Sequence, residues 1–209
     1  MIGKGKSISH GVAALEYDLA KEINGQAVAT EIARHELYGC TGAEMVQEMK
    51  PYHIDFPNVK NNCLRFEVSP SIEESATFTD ADWAELGNDF MQRMGLANHQ
   101  YIIIRHSGTE SKKEQAHLHI LANRVSLSGE LYRDNWIGKK ATEAANAIAK
   151  ERNFVQSQDI GKVNKAEIKE AMDGVLKKMQ GFDFTKFKEE LGKRGFKVRK
   201  ARASTGKLK

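Results

Sequence analysis

The chain has 209 residues, 40% of them hydrophobic and 29% charged, with three prolines and a net charge of +4. That is a folded composition, long enough for one ordinary domain or one domain with an appendage, and it excludes a disordered or collagen-like chain. No apolar run approaches the roughly 20 residues of a membrane span, the N-terminal MIGKGKSISHG lacks the apolar core of a secretory signal, and Cys40 and Cys63 follow no metal-ligand spacing, which fits reduced thiols in a cytoplasmic protein.

In chain order, the first expected helix covers residues 10–22, with Ala13, Ala14, Leu15 and Leu19 as its apolar positions and Ser9 available as a cap. Thr41 opens a second, TGAEMVQEMK, with Glu44 placed for a capping box and Pro51 ending it. Residues 62–69 (NCLRFEVS) alternate as a strand, with Leu64, Phe66 and Val68 on one face. Arg65 and Glu67 share the other face and are expected to pair. A helix follows over residues 79–94, favoured by Asp80 and Asp82 at its start and Gly95 at its end.

YIIIR (101–105) is a continuous β-branched run and suits a buried central strand. AHLHILANRV (116–125) alternates His117, His119, Leu121 and Asn123 against Leu118, Ile120, Ala122 and Arg124. The polar stretch between these two strands makes them an expected antiparallel pair. Ser128-Gly129-Glu130 reads as a turn. Helices are expected over 136–152, 165–179 and 185–193, and GFKVR (195–199) as a short final strand. The basic charge is concentrated here: from residue 160 on, 15 Lys and Arg face 6 Asp and Glu, a balance of +9, whereas the preceding 159 residues hold 17 against 22. Such an end fits a polyanion partner, nucleic acid above all, or a solvated helical face. ARASTGKLK (201–209) reads as the start of a hairpin lacking its second strand, so the natural chain is expected to continue.

The chemistry concentrates on His117 and His119. Two apart on a strand, they point to one side, where one metal ion reaches both imidazoles. If the two strands pair, His106 approaches the same patch. Three neutral imidazoles leave coordination positions open for water or substrate, as a catalytic metal site requires. Two partly solvated histidines on a strand are the plainer alternative.

Arg105-His106, a polar loop, His117-Leu-His119 and then Asn123-Arg124-Val125 resemble the third motif of the relaxase/mobilisation nucleases, the HUH-type tyrosine DNA strand transferases. GKGKSISHGVAALEY resembles their start, with Ser9-His10 and a tyrosine seven residues after His10. NNCLRFEVSPS looks like their second motif, a strand ending in Ser-Pro. The loop departs from the family: His106 to His117 is eleven residues, and Ser107 and Gly108 follow His106 where an acidic residue usually stands two positions on. Glu110 or Glu114 is the expected substitute.

The resemblance implies an α+β fold, a central antiparallel sheet flanked by helices, as a nuclease domain over residues 1–155. Residues 160–209 would form a basic helical extension. It implies Tyr17 as the nucleophile and His106, His117 and His119 as ligands of a divalent ion, Mg²⁺ or Mn²⁺. Tyr38, Tyr52, Tyr101 and Tyr132 are the other tyrosines available. Lys4, Lys6, His10, Arg105, Asn123 and Arg124 are the implied DNA contacts. The implied activity is nicking and covalent attachment of one DNA strand at a transfer origin, with single-stranded DNA, flanking duplex and an accessory mobilisation protein as partners and no membrane. A non-enzymatic DNA-binding module with structural histidines is the alternative. A metal-dependent hydrolase without a covalent step is another, using the same three histidines with Zn²⁺ and a bound water.

Overall fold

A computed structural model describes residues 1–108 and 115–199. The chain divides into two compact units, Met1–Ser157 and Gln158–Lys209. The elements of the first are β1 (Ile2–Ile8), α1 (Gly11–Leu19), β2 (Glu22–Ile23), β3 (Gln26–Ala27), β4 (Ala29–His35), α2 (Gly42–Met49), a 3-10 turn (Lys50–His53), β5 (Cys63–Ser69), α3 (Ile72–Ser75), α4 (Asp80–Arg93), β6 (His99–His106), β7 (His117–Ser126) and α5 (Ile137–Glu151). Five strands make one antiparallel sheet in the order β1-β5-β7-β6-β4, and β2 and β3 form a separate ribbon. This is the expected α+β architecture.

The strands legible in the sequence, β5, β6 and β7, are the three central ones. Their alternation sorts side chains between two cores. On one face Leu64, Phe66, Ile103, Leu118 and Ile120 pack with Trp83, Leu86 and Phe90 of α4 and Ala141, Ala145 and Ile148 of α5. On the other, Cys63, Ile102, Ile104 and Leu121 pack with Leu15 of α1 and Met45, Val46 and Met49 of α2. The capping boxes at Thr41–Glu44 and Thr79–Asp82 are both formed. Gly95, at φ 72°, ends α4 in the left-handed region that glycine tolerates.

Both edge strands escape the sequence reading. In β1, Gly3 and Gly5 face α5: a Cβ on Gly3 would collide with the Ala141 carbonyl, and one on Gly5 would lie 2.8 Å from the Phe66 ring. These glycines let the helix approach the strand, which is paired throughout with β5. β4 is charged and carries a register shift between Glu31 and Ala33, both habits of exposed edges. Asn24 and Gly25, at φ 53° and 75°, form the two-residue turn between β2 and β3.

Helix α1 is shorter than expected, and His10, not Ser9, is its N-cap, without a side-chain hydrogen bond. Arg65 and Glu67 do share a face but do not pair. Glu67 accepts from Lys4 at 2.8 Å, and Arg65 turns to Asp18.

In the second unit, α6 (Ser157–Leu176) and α7 (Phe184–Lys193) close over Ala171, Val175, Phe187 and Leu191. α6 starts eight residues before the expected position. Residues 195–199 form no strand. With no strand to pair with among the described residues, this segment places Phe196 and Val198 against the small helical core instead. Residues 201–209 lie outside the described residues, as do Glu110 and Glu114. No helix is long and apolar enough to cross a membrane among the described residues.

Candidate functional site

Antiparallel pairing of β6 with β7 sets His106 directly across from His117, and β7 periodicity puts His119 two residues on, on the same face. The rings cluster, with centroids 4.5 Å (His106–His119), 4.9 Å (His117–His119) and 5.4 Å (His106–His117) apart. One nitrogen from each lies within 4.8 Å of the other two. Nε2 of His117 and Nε2 of His119 are 3.1 Å apart. Two ligands about 2.1 Å from one ion and at right angles to each other would have a similar separation. The donor set therefore fits a divalent ion.

The outer nitrogens are held by the fold. His106 Nε2 donates to the Asp18 carbonyl at 2.7 Å. That carbonyl lies in the last turn of α1, where helical carbonyls lack intrahelical partners. His117 Nδ1 donates to the Gln115 carbonyl at 3.1 Å. His119 Nδ1 has Arg65 Nη2 at 3.3 Å and the Asp18 carboxylate at 3.9 Å. Asp18 is 1% exposed and accepts from Arg65 Nε at 3.0 Å and from Nη2 at 2.5 Å. Burial, with His106 and His117 alongside, lowers His119 to about 2. Burial also lowers His106, partly offset by its bond to Asp18. Both rings are thus held neutral, the form that binds metal.

Tyr17 is the residue before Asp18 on α1. Its ring is 57% exposed, and Lys21 donates to its hydroxyl at 2.7 Å while sitting 4.9 Å from the ring centre. Beside His119 opens a cleft of about 220 Å³, lined by Lys4, Gly5, Lys6, Arg65, Phe66 and Glu67. Lys4 and Lys6 project into it because β1 alternates away from α5 at these positions. Other tyrosines differ: Tyr101 is buried and bonds Asn88, and Tyr38 is exposed and bonds Glu36.

A family model described as relaxase, MobA/VirD2-like, nuclease domain, matches residues 17–154, about two thirds of the chain. The chain belongs to this relaxase family. It is a DNA relaxase by that membership. Among solved structures, the conjugative relaxase TrwC in complex with oriT DNA, in a metal-bound structure, is similar with a TM-score of 0.40 and 11% sequence identity, over 99% of this chain and 74% of that one. No curated protein matches.

Within this relaxase fold, the implied DNA contacts separate into two groups. Lys4 and Lys6 stand at the cleft, and His10 is exposed at the start of α1. Three others are used elsewhere. Arg105 points to the opposite sheet face and pairs with Asp80. Arg124, on that same face, pairs with Asp134 and donates to the Asn61 and Tyr132 carbonyls. Asn123 is fully buried. It donates to the Met49 carbonyl and Gln100, and its oxygen is 2.6 Å from His53 Nε2 and accepts the Val125 amide. It shares the histidine face, as expected, but binds α2 to the sheet rather than facing a ligand. Arg65, Asp18 and Lys21 are the site residues that the sequence reading passed over. Only pairing across the sheet and the position of α1 bring the first two together, 47 residues apart.

Proposed function

We propose that this relaxase nicks one DNA strand at a transfer origin, with Tyr17 as nucleophile and His106, His117 and His119 holding a divalent ion. The observation that supports this most is the convergence of three imidazoles beside a basic cleft, at the end of the helix that carries Tyr17. The Tyr17 hydroxyl attacks the scissile phosphorus. A phosphotyrosine bond to the 5′ side forms, the P–O3′ bond breaks, and the phenol proton is lost as the 3′-hydroxyl gains one. A phenol with a pKa near 10 is a poor nucleophile at neutral pH. Lys21 gives its oxygen a charge-assisted donor. When bound, the ion supplies charge that polarises the phosphoryl oxygens. Lys4 and Lys6 neutralise neighbouring phosphates. One phosphoester replaces another, so the reaction runs in both directions and suits nicking followed by rejoining.

Mg²⁺ prefers oxygen ligands, and three imidazoles suit Mn²⁺ better. Residues 1–155 form the nuclease domain in this reading, and residues 160–209 are a basic extension that grips DNA. Mobilisation of its own element from within the cytoplasm, with an accessory protein, completes the proposal.

The test is covalent capture. A single-stranded oligonucleotide spanning the element's own transfer origin, with Mn²⁺, should yield a protein–DNA adduct stable to denaturation. Tyr17→Phe should lose it entirely, and a chelator should suppress it. An undiminished adduct in Tyr17→Phe would move the nucleophile to another tyrosine. Oligonucleotide cleavage without any adduct would point to hydrolysis.

A further inference from the structure

A metal-bound imidazole usually donates its second N–H to a fixed acceptor, which sets the tautomer and aims the ring. Two of the three histidines have such an acceptor in a backbone carbonyl, Asp18 for His106 and Gln115 for His117. His119 does not. Its Nδ1 is faced by the Arg65 guanidinium at 3.3 Å and by Asp18 Oδ1 at 3.9 Å. A guanidinium only donates, so it cannot take a proton from Nδ1. With Nε2 turned to the shared space, Nδ1–H needs the carboxylate.

Asp18 is equipped for this. It is 1% exposed, so water does not compete for it. Arg65 occupies one lone pair on each oxygen through Nε and Nη2, and each carboxylate oxygen has two. Oδ1 thus keeps a site for His119, reached by a movement of about 1 Å to ordinary hydrogen-bond length. The same residue already holds His106 through its carbonyl. We propose that Asp18 is the positioning residue of the metal site, its carbonyl fixing His106 and its carboxylate fixing His119, with Arg65 as the clamp that holds the carboxylate in place. This rests on the reading of the three histidines as metal ligands. It follows that one turn of α1 carries both the nucleophile and the outer support of the ligands. Tyr17 is thereby tied to the histidine strands through its neighbour in the chain, Asp18.

The test uses the full chain, Mn²⁺ alone, and calorimetry without DNA. Asp18→Asn should weaken Mn²⁺ binding by about tenfold or more. Arg65→Gln, which keeps the carboxylate, should stay within about threefold of wild type. The double variant D18N/R65Q leaves no buried charge unpaired, so it remains informative should D18N fail to fold, and it should bind as weakly as D18N. Nitrogen-15 spectra of the Zn²⁺-loaded protein add a readout that a purely structural role would not move. The His119 Nδ1–H should carry a strong hydrogen-bond shift in wild type, lose it in D18N and regain part of it in Asp18→Glu. D18N/R65Q binding Mn²⁺ as tightly as R65Q, or an unmoved His119 signal, would overturn the proposal. Wild type that binds neither ion would overturn it together with the metal reading itself. The two failures are distinct, because in the first the wild type still binds.

Discussion

At the residue scale, the histidine cluster makes stability depend on pH with a definite sign. His119 in the folded chain is lowered to about 2, and His106 is lowered as well, both chiefly by burial. In the unfolded chain both titrate near 6.5, so below that pH the unfolded state binds more protons and folding weakens as pH falls. The loss begins at about 6.5 and continues down toward the folded values. His119 alone contributes a slope of about 1.4 kcal/mol per pH unit in that window. Denaturant unfolding of chelator-treated protein between pH 7 and pH 5, where carboxylates stay ionised, should show it, and His119→Gln should flatten it. A pH-independent stability would mean that the rings are not buried as neutral bases. At this scale the sequence supplied the three histidines and left the groups around them unread. The H-x-H spacing on a strand forces two imidazoles to one side whatever the fold. Asp18 looks like an ordinary helix-surface acid until α1 is laid over Arg65.

At the element scale, burial decides what could be read. β6 and β7 are buried on both faces along most of their length and β5 on one, so their apolar positions repeat strongly enough to be recognised. β1 and β4 lie at the edges and carry glycine and charge instead. The glycines of β1 have a specific load, because α5 rests on them. Gly5→Ala should destabilise the protein by about 1–3 kcal/mol, since the Phe66 ring that meets the new methyl is itself fully buried and cannot yield. Gly3→Ala should cost at least as much, because its methyl would meet a helix carbonyl. Thermal unfolding measures both. Unchanged midpoints would mean that α5 can slide on the strand. The final segment teaches the converse. Residues 195–199 have strand-like composition, but strand formation needs a partner, and the two-helix unit offers an apolar core instead.

At the scale of the whole molecule, the sheet separates two functions. One face and its helices, α4 and α5, are a continuous apolar core. The other is apolar under α1 and α2, bears the histidines against the last turn of α1, and opens beside them into the basic cleft. That division takes Arg105 and Arg124 away from the site, although each is adjacent in sequence to a residue on the histidine face. It brings in Lys4 and Lys6 from the far end of the chain. Replacing either lysine with alanine should weaken single-stranded DNA binding evenly across sequences. Each should also reduce the slope of log affinity against log salt by about 0.7. Binding titrations at several salt concentrations provide the measurement, and an unchanged slope would remove that lysine from the DNA path.

By itself the sequence determined the relaxase resemblance, the three central strands, the capping box at Thr41 and the set of three histidines with Tyr17 upstream. These follow from local spacing: a strand period of two, a capping residue three positions from its partner, motifs in a fixed order. The tertiary structure alone decided which charged groups reach the site, because that depends on which strand lies at which edge and on where α1 ends. Arg65 to Asp18, Lys4 to Glu67 and Asn123 to His53 are all contacts across more than 40 residues of chain. The histidine pair and its context could be read in order along one strand. The carboxylate beside it could be found only once a helix from the other end of the domain was in place.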